Sequence, residues 1–193
     1  MVPEAPDTGW RGIDALAALV GHYAWLEWRT FEVTGAWAAQ REGDAAVRVW
    51  CAAAARRHGE LATRWAERLP VRAGVDAGAL VQPPSGEVAD ALEQLGALDD
   101  VGAGTAVLVL GVLPRLGDLY RSHLLTASPV REGAVAEVLA DASRIALGET
   151  RSGGIVVRNL GDGIDLASSP GDLVTVFERV FDNLRVFPAV RAS

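Results

Sequence analysis

The chain has 193 residues, a formal net charge of −7 and 50% hydrophobic residues, which is enough apolar material for one sizeable core and too much for a disordered chain. The acidic balance argues against a nucleic-acid partner, because phosphates need clustered positive charge. A single cysteine excludes an internal disulfide, and together with only three histidines it excludes zinc-finger spacing.

Charged residues interrupt each apolar stretch before it reaches the roughly 18 residues of a membrane span. Glu27, Arg29 and Glu32 interrupt the first stretch, and Arg115 and Asp118 interrupt the longest later one. The first residues also lack the positive charge and apolar core of a signal peptide. We therefore expect a cytoplasmic protein with no membrane span.

The first half of the chain is predicted to form a helical hairpin. Residues 11–40 lack proline, are rich in Ala, Leu and Trp, and carry polar residues at helical spacing, which predicts one long helix. Asp44 is a plausible N-cap for a second helix that ends at Leu69, before Pro70. The short turn between the two helices makes them antiparallel.

A crossover over residues 71–86 separates this hairpin from the next helices. It is rich in Gly and Pro and lacks clear periodicity. Ser85 can then cap a short helix. The length of the crossover favours a bundle with one long connection over a simple up-down-up-down bundle.

The second half predicts another hairpin. A third long helix begins near Asp99 or Asp100, should kink at Pro114 and ends near Ala127. Ser128 and Pro129 combine an N-cap with a first-turn proline, which predicts a fourth helix reaching about Glu149.

The sequence predicts a single domain over residues 1–193, in which residues 151–193 form a C-terminal arm. Ser152-Gly153-Gly154 leads into an extended piece at 155–157, and residues 161–163 form a turn. A final helix opens at Ser169-Pro170 and carries an apolar stripe of Leu173, Val176, Phe177, Val180, Phe181 and Leu184. We expect this stripe to pack on the bundle or on a partner chain.

Two polar residues fall on apolar helix faces in the first hairpin. Glu27 lies at the centre of the apolar face of helix one, and His58 lies in the apolar face of helix two. Folding the chain back at residues 41–42 brings the two to within about one helical turn of each other. Because an unpaired buried carboxylate costs several kcal/mol, Glu27 needs a cation, a metal or a hydrogen-bond donor.

Further polar residues complete a candidate ligand pocket. Tyr23 shares the inward face of helix one, Tyr120 and His123 share that of helix three, and Asp141 lies at the edge of the apolar face of helix four. His22 falls with the surface residues. Cys51 is seven residues from His58, about 10 Å along the helix, which is too far for acid–base chemistry between them.

This pattern resembles the ferritin-like superfamily, in particular its small uncharacterised actinobacterial members, over residues 11–150. In metal-binding members each hairpin supplies one Glu and one Glu-x-x-His to a site for two iron or manganese ions. The resemblance matches Glu27 to the helix-one glutamate and His58 to the helix-two histidine.

The other ligand positions of the family are not matched. Ala55 occupies the position three residues before His58, and Arg144 stands three residues after Asp141, where a histidine would be needed. Glu137 and Glu149 are other carboxylates of helix four. A complete six-ligand site for two metals is therefore not predicted.

Two functions follow from this incomplete site. In the first, the chain is a pseudo-ferritin that works by binding: Glu27 forms a satisfied polar cluster, and the bundle holds an apolar or amphipathic small molecule or a protein. In the second, Glu27, His58 and His123 bind one iron or manganese ion in an oxidase or hydroxylase, with Tyr120 as a hydrogen-bond donor and Asp141 as a fourth ligand. Trp25 and Trp28 lie toward the polar side of helix one and favour assembly, with a homodimer expected.

Overall fold

The computed structural model describes residues 12–70 and 76–160. The predictions for residue 11, for the turn at 161–163 and for the helix opening at Ser169 fall outside these ranges, as does part of the predicted crossover. Within the described ranges all regular secondary structure is helical, with no strand. The predicted all-α class is confirmed for this part of the chain.

The first hairpin forms as predicted. Helix α1 spans Ile13–Ala39 and helix α2 spans Ala45–Ala66. The side chain of Asp44 accepts hydrogen bonds from the backbone N–H groups of Ala46 and Val47, which satisfies two of the donors that a helix start leaves unpaired.

The crossover passes close against α1. A 3₁₀ turn at Ala77–Leu80 brings the Leu80 carbonyl so near Gly21 that a Cβ there would lie 2.0 Å from its oxygen. His22, expected at the surface, is half-buried, and its Nδ1–H donates to the Gln82 carbonyl at 3.0 Å. Helix α3 (Gly86–Gly96) follows, with Ser85 as its N-cap.

The next long helix has three parts: α4 (Val101–Val107), a π-helical segment at Leu108–Val112, and α5 (Leu113–Thr126). Pro114 explains the middle part. It has no N–H to offer the carbonyl four residues earlier, and the wider turn lets the chain bond instead from the Leu113 N–H to the Leu108 carbonyl. The sequence predicts a kink at Pro114, and the structure shows a π-helical segment that ends two residues before it.

Helix α6 spans Gly133–Asn159, and it corrects three predictions. It begins four residues after Pro129, because residues 129–131 form a turn instead of a first helical turn. It continues through Gly153 and Gly154, so residues 155–157 are helical rather than extended. The predicted boundary between the bundle and the C-terminal arm, at residues 150–151, therefore falls inside a helix. Gly153 is needed because a Cβ there would lie 2.5 Å from Val109 and 2.8 Å from Trp50.

The four long helical runs meet at a common end. A cleft there is lined by Gln40, Asp44, Gly102 and Leu160, which belong to the end of α1, the start of α2, the start of α4 and the end of α6. Helices α2 and α4–α5 therefore run in the same direction, and the crossover spans the length of the bundle. Helix α2 packs against α1 and α6, and α5 packs against α6.

The run Val101–Thr126 is long and apolar enough to cross a membrane by length and composition alone, and it is the one such helix among the described residues. Within the bundle, 61% of its most apolar window is buried. The core helix of a water-soluble bundle has the same properties, so this feature is weak evidence for a span.

Candidate functional site: two buried polar networks

Glu27 is the centre of a polar network in the middle of the bundle. Its side chain is fully buried, and both carboxylate oxygens are occupied. The Tyr120 hydroxyl donates to Oε1 at 2.5 Å, and His58 Nδ1 donates to Oε2. The predicted proximity of Glu27 and His58 is confirmed.

Glu149 extends this network on the other side of His58. His58 Nε2 lies 2.8 Å from Glu149 Oε2, close enough for an ion pair although the two atoms lack the alignment of a hydrogen bond. Arg57 Nε donates to Glu149 Oε1 at 2.6 Å, and the Arg57 side chain is 29% exposed. The network thus runs from Tyr120 through Glu27, His58 and Glu149 to Arg57 near the surface, and α1, α2, α5 and α6 each contribute at least one residue.

The charges of this network balance. Burial alone would lower the pKa of His58, but the attraction of the Glu27 and Glu149 carboxylates and the contacts with them raise it to about 10. His58 is therefore an imidazolium at neutral pH. With Arg57 it offsets the charges of the two carboxylates, which is the condition under which buried ions are tolerated.

Tyr120 is held in its neutral form. Burial raises the pKa of its hydroxyl well above the ordinary value, and the negative charge of Glu27 raises it further. Tyr120 therefore serves as a proton donor in the hydrogen bond to Glu27.

A second buried network lies beside the first. His123 Nε2 donates to Glu132 Oε2 at 3.0 Å, and its Nδ1 lies 3.0 Å from the Tyr23 hydroxyl. The rings of Tyr23 and Tyr120 meet edge to face with centroids 5.1 Å apart, and Trp65 packs against both. Aromatic rings therefore separate the two polar networks.

The predicted metal triad is not assembled. Glu27 and His58 are in contact, but His123 binds Tyr23 and Glu132 instead. Residues 12–70 and 76–160 contain no group of three or more His, Cys, Asp or Glu side chains placed to hold a metal ion. The reason is local: each ring nitrogen of His58 faces a carboxylate, so neither is directed at a shared metal position.

Asp141, predicted as a pocket residue and a fourth ligand, lies in a surface ion pair. Its carboxylate accepts from Arg64 at 2.8 Å and from Arg144 at 3.1 Å. These hydrogen bonds hold the pKa of Asp141 below its ordinary value. Asp141 therefore ties α6 to α2 and has no part in either buried network.

The sequence pattern does not predict two of the network residues. In it Glu149 stands only as another carboxylate of helix four, although it shares a helix face with the buried Ala142 and Ala146, which is a usable signal. Glu132 lies in the turn before α6, where helical periodicity gives no information about the direction of a side chain.

Cys51 is buried beside Thr105, with Sγ and Oγ1 3.7 Å apart. Burial raises the pKa of the thiol to about 11, and the contact with Thr105 opposes this only in part. Cys51 is therefore protonated at neutral pH and packs as a small apolar residue.

The cleft at the common end of the helices has a volume of about 300 Å³. Its apolar lining residues include Val47, Val101 and Leu160, and it is also lined by four acidic residues and one arginine: Glu42, Asp44, Asp99, Asp100 and Arg48. None of the six predicted pocket residues lines it. This cleft is therefore separate from both buried networks.

Comparison with known proteins gives no match: no family model, no curated protein and no solved structure matches the chain. The function is therefore inferred from the side chains themselves.

Proposed function

We propose that the protein is a ferritin-like bundle in which an internal ionic network occupies the position of the metal centre, and that it acts by binding instead of by metal-dependent oxidation. The observation that carries this proposal is the pairing of Glu27, His58 and Glu149 with one another. His58 as an imidazolium has no ring electron pair to offer a metal, and a metal bound to Glu27 or Glu149 would displace a buried ion pair.

The ferritin-like assignment is supported by the order and direction of the helices. Two antiparallel hairpins are joined by one crossover that runs the length of the bundle, which is the connection found in ferritin-like folds. The network also draws one residue from each of the four long helical runs, at Glu27, His58, Tyr120 and Glu149. Ferritin-like metal sites are built from side chains on all four helices in the same way.

The alternative is an oxidase that binds one iron or manganese ion through Glu27, His58 and His123. It would require His58 to lose its proton and one carboxylate partner, and His123 to leave Glu132 and Tyr23. Each rearrangement breaks a buried interaction of a charged or polar group, which is costly. The binding function needs none of them.

Metal content separates the two functions. The full chain would be produced with iron and manganese in the medium and analysed by elemental analysis beside the Glu27→Gln variant. We expect the same background content in both proteins, because Glu27 is bound to His58 and Tyr120. A stoichiometric metal that is lost in Glu27→Gln would overturn the proposal in favour of the oxidase.

The place for a small ligand also follows from the packing. The end cleft is a recess that suits a small amphipathic molecule, with its apolar part on Val101 and Leu160. Native mass spectrometry of the purified chain should detect a co-purified ligand, and Val101→Trp should remove it by filling the cleft. Removal by Tyr23→Phe in the core, with no effect of Val101→Trp, would contradict this location.

A further inference from the structure

The exposed side of α1 carries large residues at one end and small residues at the other. Its stripe consists of five positions: Trp25, Trp28, Glu32, Ala36 and Ala39. At about 100° per residue they fall within about 80° of arc and extend over about 21 Å. Trp25 is half-buried and the other four are exposed, with Trp28 at 51%.

This stripe is symmetric in spacing about Glu32. Trp28 and Ala36 each lie four residues from it, and Trp25 and Ala39 each lie seven residues from it. A second copy placed antiparallel about a twofold axis through Glu32 therefore sets each Trp of one chain against an Ala of the other. We propose that the protein forms a homodimer through this stripe, with a second copy of the chain as its partner.

Trp28 is held in position before any partner arrives. Its indole N–H donates to Glu32 at 3.0 Å, and its ring packs on Phe31 with centroids 5.5 Å apart. An aromatic side chain that is already ordered loses little conformational entropy on binding, and such residues often dominate the binding energy.

Charge also favours a second copy on this side. The chain carries a net charge of −7, so two copies repel over most of their surfaces. Between residues 25 and 39, α1 has three charged residues: Glu27 is buried, and Arg29 and Glu32 form an ion pair at 2.8 Å. The one charge of the stripe, that of Glu32, is therefore offset by Arg29 beside it, and each Glu32 brings its own arginine to the axis.

The alanine end of the stripe is followed by the turn between α1 and α2, where Gln40, Arg41, Glu42 and Asp44 are exposed. A partner's Trp25 and Trp28 would thus meet the small Ala39 and Ala36 side chains, with the polar groups of this turn at the edge of the contact.

The test is the oligomeric state of the full chain by sedimentation equilibrium at micromolar concentrations. We expect a dimer, and we expect both Trp28→Ala and Ala36→Trp to weaken it by roughly tenfold or more, since one removes the large group and the other fills its site. Leu147→Ala is the matched control, because Leu147 on α6 is 52% exposed and lies outside the stripe. Circular dichroism would check that each variant is folded.

Crosslinking tests the axis separately. In a Cys51→Ala background, Glu32→Cys should form a disulfide with its own copy on mild oxidation, whereas Leu147→Cys should not. A monomeric wild-type chain, or a dimer that neither Trp28→Ala nor Ala36→Trp weakens, would overturn the proposal. None of these outcomes bears on the metal content or the end cleft, so the proposed function is tested independently.

Discussion

His58 lies between two carboxylates from different helices, Glu27 of α1 and Glu149 of α6, and contacts both from α2. These contacts join the first hairpin to α6 through one fully buried ring. The stability of the bundle should therefore depend on the charge of this histidine.

Removing His58 alone should be costly. In His58→Leu, the carboxylates of Glu27 and Glu149 lose their shared cation and remain buried, for which we expect a loss of about 3–5 kcal/mol in the free energy of unfolding. Urea denaturation monitored by circular dichroism would measure it.

Replacing the whole network should cost less than replacing its centre. A combined variant with Leu at positions 27, 58 and 149 and Tyr120→Phe removes every fully buried charge of the network and leaves only Arg57, which is 29% exposed, without its partner. Buried ion pairs can often be exchanged for apolar residues at little cost. A combined loss that exceeds the loss from His58→Leu would show that the network contributes net stability instead of specifying which helices pair.

The pH dependence of stability follows from the same group. The pKa of His58 rises from 6.5 to about 10 on folding, so its contribution is complete below pH 6.5 and is lost as the pH rises through about 10. The folded chain holds one more proton than the unfolded chain in this window. We therefore expect the free energy of unfolding to fall with increasing pH between pH 6.5 and 10, at up to about 1.4 kcal/mol per pH unit.

Unfolding measured at several pH values in this window would check the slope, with His58→Gln as the comparison because it cannot titrate. A wild-type slope equal to that of His58→Gln would mean that His58 is neutral in the folded protein.

The sequence predicted one half of this network and missed the other for physical reasons. Glu27 and His58 stand out because each is a polar residue inside an apolar helical stripe, and the short turn of the hairpin fixes their relative height. The sequence does not predict a buried role for Glu149, because Gly153 and Gly154, shortly after it, resemble a helix end. These glycines are instead tolerated inside α6, where Trp50 and Val109 pack closely against Gly153.

Helical periodicity does not predict the hydrogen-bond partner of His123 either. Its inward direction was predicted correctly, and it is buried. Its partner Glu132 belongs to a turn, whose conformation depends on the packing of α5 against α6 instead of on a repeating pattern. In the structure His123 contacts Glu132 and Tyr23 and has no contact with Glu27 among its hydrogen bonds.

Gly21 should be required for the crossover to pass α1. A methyl group there would lie 2.0 Å from the Leu80 carbonyl oxygen, and this atom is backbone that cannot move alone. We expect Gly21→Ala to lower the free energy of unfolding by about 1–3 kcal/mol, as overpacking does. Gly148→Ala in α6 is the matched control: nothing lies within 4 Å of its added methyl group, so higher helix propensity should stabilise the protein by up to about 1 kcal/mol. Equal effects of the two substitutions would contradict the close crossing.

Asp141 should contribute little in spite of its two arginine partners. The ion pairs with Arg64 and Arg144 are solvent-accessible, since Asp141 is 40% exposed, and such pairs contribute about 0–1 kcal/mol. Because its pKa is lowered on folding, the contribution is present above pH 3.8 and is lost as the pH falls through the lower folded value. We therefore expect Asp141→Asn to cost less than about 1 kcal/mol at neutral pH, and less still at high salt, where exposed charges are screened. Glu149→Gln removes a buried charge beside His58 and should cost several times more free energy of unfolding in the same denaturation assay. A similar loss from both variants would contradict the assignment of Asp141 to the surface and Glu149 to the core.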